Sequence, residues 1–223
     1  MNYKTTCCFL SISLLFFSCK HPVKQQADSI YSRHLQRHVV LTVITTPMSA
    51  DKEEMNLLLL NNGADLQQLE AKKIIDSLYK NKLIQPLTLV GIAGNVDEYG
   101  LSGADEKTGP GKYNNFIRNE LYPFIKKKVA LRKFKSIATV GCARAGISAF
   151  DIAWNNADKI DKAGILSADF DYAGKTGSVS NALEFIKASR KRPHLQLWLY
   201  AAENKDSTIL KNTKTFRQIL VDK

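Results

Sequence analysis

The feature that most restricts this chain is a regular alternation of short apolar, β-branched runs with segments whose apolar residues recur at helical spacing. Residues 39–46 (VVLTVITT), 56–63 (NLLLLNNG), 87–94 (LTLVGIAG), 136–142 (SIATVGC), 162–170 (KAGILSADF) and 195–202 (LQLWLYAA) read as strands. Residues 66–82, 112–128, 146–156, 181–190 and 207–221 read as the helices between and after them. The uninterrupted LLLL at 57–60 marks a strand covered on both faces, because a half-solvated strand would alternate apolar with polar. The fold class expected is α/β, a mostly parallel sheet with helices on both faces.

The first twenty residues do not belong to that pattern. MNYKTTCCFLSISLLFFSCK carries one basic residue, Lys4, then an apolar run from Cys7 to Phe17 and a small residue, Ser18, before Cys19. That is the layout of an export signal, and the run is shorter than the roughly 20 residues a membrane-spanning helix needs. Its end, Phe16-Phe17-Ser18-Cys19, resembles a bacterial lipobox. The resemblance implies cleavage after residue 18, lipid attachment at Cys19, and a chain exported and held on a cell-envelope membrane by acyl chains. The division expected is 1–18 signal peptide, 19–30 polar tether and 31–223 folded domain.

The chain of 223 residues is long enough to build a core without disulfides. Three of its four cysteines lie in the leader, leaving Cys142, so neither a disulfide framework nor a cysteine metal site is expected. Lys and Arg number 32 against 21 acidic residues, a net charge of +11. The lysine cluster at 126–128 reads as a solvated helix end, and an exported chain is not expected to meet nucleic acid. Gly109-Pro110-Gly111 lacks the Lys-Ser/Thr of a phosphate loop and reads as a helix entry. No cofactor is expected.

Chemistry in an open α/β sheet is sought where strands end, and the sharpest such corner is Gly141-Cys142-Ala143-Arg144-Ala145-Gly146. Small residues flank the apex, as a nucleophile elbow requires, but the apex is Ala143. Cys142, one position earlier, is expected to point back into packing rather than toward a substrate. Ser148 lies too far into the following helix to replace a nucleophile.

Several further segments carry a resemblance to the Putative esterase family of α/β hydrolases, which includes enterochelin-esterase-like and feruloyl-esterase-like enzymes. LLLLNNGADL at 57–66, DEYG at 97–100, YNNFIRNELYPFIKK at 113–127, the long run 136–170 around the corner, and LWLYAAENKDS at 197–207 each resemble a family segment. The arginine that the family places ahead of its EYG is replaced in GNVDEYG. The resemblance implies an α/β-hydrolase fold, with Ala143 where the nucleophilic serine belongs and Asp206, or alternatively Glu203, at the triad acid. It also implies Asn62, Gly63 and Arg144 around the oxyanion site. The family's histidine follows one further strand, and this chain is expected to lack that strand, its loop and the last helix. His21, His34, His38 and His194 do not stand where a base is needed.

Acyl-ester hydrolysis on this scaffold requires a hydroxyl nucleophile, a histidine, an orienting carboxylate and oxyanion-binding amides. Two readings follow: an esterase-like lipoprotein without catalysis, which still takes a small acyl-ester or sugar-type ligand, or an active carboxylic-ester hydrolase acting on an acylated sugar or siderophore-like ester.

Overall fold

A computed structural model of the chain describes residues 22–48, 54–102, 107–168, 170, 182–202 and 207–223. Strand β1 (Lys24–Ser32) pairs antiparallel with β2 (Arg37–Thr45), and β2 pairs antiparallel with β4 (Leu87–Ile92). The remaining pairs are parallel: β4 with β3 (Asn56–Asn61), β3 with β5 (Ile137–Cys142), β5 with β6 (Lys162–Leu166) and β6 with β7 (Gln196–Tyr200). The sheet order is β1-β2-β4-β3-β5-β6-β7, so the LLLL strand lies at its centre, as its continuous apolar run demands.

Residues expected in a tether, 24–30, form most of β1 instead. Only Ser32 of this strand is buried, since it is the outer strand of a hairpin; its polar sequence therefore hid it. The backbone ladder with β2, from Lys24 opposite Thr45 to Ser32 opposite Arg37, holds it in place.

One face of the sheet is covered by α1 (Ala71–Lys80), whose Ala71 and Ile75 pack with Leu66, Ile44 and Leu89. The other carries the larger core beneath α2 (Gly109–Phe116), α3 (Tyr122–Lys128), α4 (Arg144–Asn155), α5 (Ala182–Ala188) and α6 (Ser207–Val221). There Phe216 of α6 stacks on Phe170 at 4.2 Å and meets Phe150 of α4 edge-on at 5.1 Å. Helices α2 and α3 are joined through a π turn, Ile117–Leu121, where one helix was expected. Pro123 accounts for the interruption: it has no N–H to donate and its ring crowds the preceding turn.

Among the described residues, no helix covers the α1 side of β5, β6 and β7. The register aligns Val140, Gly164 and Trp198 in one row and Cys142, Leu166 and Tyr200 in the next. Trp198 is 78% exposed and Tyr200 57%. Trp198 is thus an exposed residue on this sheet face.

Candidate functional site

The corner after β5 is built by close approach. A Cβ on Gly141 would fall 2.0 Å from the Ala145 carbonyl oxygen, and one on Gly146 would fall 3.1 Å from the Gly141 oxygen. Gly141 must be glycine for strand and helix to meet so tightly, and at Gly146 a side chain would make its neighbours give way slightly. Between them Ala143 is held at φ 52°, ψ −122°, outside the regions an alanine prefers. Its N–H donates to the Leu166 carbonyl at 2.9 Å, and its carbonyl accepts from the Gly146 N–H at 3.0 Å. The apex faces solvent. This is elbow geometry carrying a methyl group.

Cys142 is exposed, not packed as the sequence suggested. The physical reason is its row: as the last residue of β5 it lies beside Leu166 and Tyr200 on the sheet face that α1 does not reach.

Beside the elbow, β3 ends at Asn61, which is buried. Its side-chain amide donates to Thr139 Oγ1 at 2.8 Å and to the Val140 carbonyl at 3.0 Å, while its Oδ1 accepts from the Tyr113 hydroxyl at 2.9 Å. The next residue, Asn62, takes the left-handed conformation, φ 59°. Its backbone N–H donates to the Tyr99 hydroxyl at 2.9 Å, so this amide, expected at the oxyanion site, already has a partner. Gly63 packs directly on Gly91 of β4, where a Cβ would come within 2.3 Å of the Gly91 Cα. Because β3 and β5 are parallel neighbours, roughly 4.8 Å apart, the structure brings Asn62, Gly63, Ala143 and Arg144 to one edge of the sheet.

The Glu-Tyr-Gly segment supports that edge residue by residue. Glu98 caps its own turn by accepting from the Asn95 N–H at 2.8 Å, and it receives a two-pronged contact from Arg37, Nε to Oε1 at 2.7 Å and Nη2 to Oε2 at 2.6 Å. Arg37 reaches this segment from β2. Neither composition nor local spacing signals this pairing, as the partners are 61 positions apart. Tyr99 and Tyr113 meet edge-on at 5.5 Å, and burial raises the pKa of both hydroxyls, so they stay neutral donors and acceptors. Gly100, at φ 139°, donates its N–H to Ser148 Oγ at 2.8 Å. Ser148 is therefore a buried anchor for the loop.

One turn further along α4, Asp151 is buried and accepts from Ser102 Oγ at 2.7 Å, Asn114 Nδ2 at 3.0 Å and Asn155 Nδ2 at 3.0 Å. Burial raises its pKa to about 6, against the pull of those hydrogen bonds.

Asp206, Glu203, His21 and Cys19 lie outside the described residues. His194 precedes β7 at the end of the sheet opposite the elbow. His38 is within β2, three strands from β5, roughly 14 Å across the sheet, and its ring meets Tyr31 edge-on at 5.2 Å. His34 sits in the turn between β1 and β2. A cavity of about 380 Å³, bordered by Pro22, Lys24, Met48, Met55 and Lys128, opens at the opposite edge of the sheet from the elbow.

A sequence profile of the Putative esterase family matches residues 32–215. The chain belongs to that family. Among solved structures, it is similar to a ferulic acid esterase, with TM-score 0.72 and 16% identity over 90% of this chain and 86% of that one. It is also similar to the enterobactin esterase of Shigella flexneri, with TM-score 0.73 and 17% identity over 91% of this chain, and spans 52% of that enzyme's length. An IroE-like serine hydrolase from Shewanella oneidensis gives TM-score 0.71 and 18% identity, over 89% of this chain and 69% of that one. No curated protein sequence matches the chain. These likenesses establish the α/β-hydrolase fold of this Putative esterase family member.

Proposed function

We propose that this chain is an esterase-fold lipoprotein that binds a small acyl-ester or sugar-type ligand without hydrolysing it. The observation that carries the reading is Ala143: the apex holds elbow geometry and exposes a methyl group where acyl transfer needs a hydroxyl. In a well-studied protease, loss of the serine alone lowers turnover by about 10⁶-fold. Cys142 is exposed but stands on the strand, one position before the apex, so its thiol is not presented by the elbow. In this reading Asp206 is a leftover triad acid, the Arg144 amide and the Asn62-Gly63 loop line the ligand site, and Cys19 carries the lipid that keeps the chain on a cell-envelope membrane. Among the described residues no helix is long and apolar enough to cross a membrane.

The test is p-nitrophenyl acetate hydrolysis by the full chain and by Ala143→Ser, with folding followed by circular dichroism. The unmodified chain is expected to match the blank. Turnover well above it, abolished by Cys142→Ala, would replace this reading with an active carboxylic-ester hydrolase. The anchor is tested separately by detergent phase partitioning: the chain should enter the detergent phase and Cys19→Ser should not.

A further inference from the structure

The topology decides where the chain keeps its surplus of positive charge. Strands β3 to β7 run parallel, so their first residues share the end of the sheet opposite the elbow, and the antiparallel pairs bring Thr45 of β2 and Lys24 of β1 to that same end. The described segments that reach it are 22–24, 54–55, 80–86, 126–136, 156–162 and 189–195. Together they hold fourteen lysines and arginines against three acidic residues, an excess as large as the +11 of the whole chain, so the charges elsewhere balance one another. The connection 49–53, outside the described residues, changes that excess by one. The lysines at 126–128 alone read as a solvated helix end; what the fold adds is five further segments beside them.

Ion pairs occupy few of these cations. Lys80 pairs with Asp76 at 2.5 Å, Lys128 with Asp28 at 2.6 Å and Lys135 with Glu54 at 2.7 Å. Lys82, Lys127, Arg132, Lys133, Arg190 and Arg192 are exposed and have no carboxylate partner among the described residues. The turn after α1 also exposes an apolar side chain here: Leu83, next to Lys82, is 70% open to solvent.

Seven strands spread this end over roughly 29 Å, more than three times the distance of about 8 Å over which exposed charges act at physiological salt. A small anion would meet a fraction of the cations, whereas an extended anionic surface meets them all. We propose that this end is a docking face for an anionic phospholipid membrane, its lysines and arginines against the headgroup phosphates and Leu83 entering the boundary with the acyl chains. A nucleic-acid duplex offers the phosphates but no apolar layer for Leu83. The proposal goes beyond lipid attachment at Cys19, because the face needs no acyl chain.

Every arm of the test therefore uses the full chain carrying Cys19→Ser, which separates a failure of this face from a failure of lipid attachment. Co-sedimentation compares phosphatidylglycerol with phosphatidylcholine vesicles. The apolar run at 7–17 is common to all arms, so the quantity read is the preference for the anionic lipid. Each cation near such a surface contributes about a fivefold gain in affinity. Arg132→Gln with Lys133→Gln should lower the preference about 25-fold. Arg33→Gln with Lys112→Gln removes the same charge from the elbow end, at the β1–β2 turn and the first turn of α2, and should lower it less than about threefold. The preference should also shrink as sodium chloride rises, and Leu83→Gln should weaken vesicle binding without changing binding to duplex DNA. Equal losses from the two pairs would overturn the proposal, since they would assign the effect to net charge rather than to a face. So would equal binding to both lipids, or vesicle binding indifferent to Leu83→Gln. A chain that binds duplex DNA through Arg132 and Lys133 while ignoring phosphatidylglycerol would assign the face to nucleic acid instead.

Discussion

At Ala143 the backbone lies in a region that costs a non-glycine residue about 1–3 kcal/mol. Ala143→Gly removes that strain but gives the unfolded chain more freedom, a loss of about 0.4–1 kcal/mol. The net expectation is a gain of about 1 kcal/mol, read as a higher urea midpoint; a lower midpoint would mean the apex is unstrained. Gly141→Ala goes the other way. The added methyl would lie 2.0 Å from a backbone oxygen, and relieving it must pull β5 from α4. A loss of about 3 kcal/mol is expected, at the upper end for overpacking, in thermal melts followed by circular dichroism. These positions were legible in the sequence because close approach demands small residues at fixed offsets, whatever the rest of the chain does. The exposure of Cys142 was not, since it depends on which sheet face a helix leaves bare.

Two contacts between elements decide how firmly the loops beside the elbow are held. Asp151 on α4 ties the segment at Ser102 to α2 through Asn114. Folded, it keeps its proton up to about pH 6; unfolded, it releases it near 3.8. Between those values the folded state holds the extra proton, so stability falls as pH rises through the window, by up to about 3 kcal/mol, and levels off above it. Asp151→Asn should flatten that slope in melts taken from pH 4 to 7, and a slope unchanged by the substitution would assign it elsewhere. The carboxyls of Asp28 and Asp158, held low first by hydrogen bonds from Lys128 and Arg118, act in the opposite sense, their stabilisation being lost only as pH falls below their ordinary range. The second contact is Arg37 with Glu98, whose side chain is 10% exposed. Arg37→Ala leaves that carboxylate nearly buried without its cation and should cost about 3 kcal/mol by urea unfolding, the low end for a buried pair because Arg37 itself is 24% exposed. Arg37→Lys, which cannot make the forked contact, should fall between. Strand positions and the α/β class were readable because buried strands and amphipathic helices differ in period. β1 and the Arg37 pairing were not: an outer hairpin strand buries too little to leave a hydrophobic pattern, and an ion pair across 61 residues is fixed by strand register alone.

For the molecule as a whole, an excess of 11 positive charges repels itself most strongly in the compact state. Raising sodium chloride from low to moderate concentration should therefore raise the melting temperature by a few degrees, and a fall would show that ion pairs such as Arg37–Glu98 and Lys128–Asp28 outweigh the net charge. The early start of β1 sets a further limit. From Cys19 to Lys24 the chain can reach at most about 18 Å, and Lys24, opposite Thr45, stands at the edge of the sheet away from the elbow. An acyl chain on Cys19 would moor a single copy by that edge, with its strands upright and the elbow opening away from the bilayer.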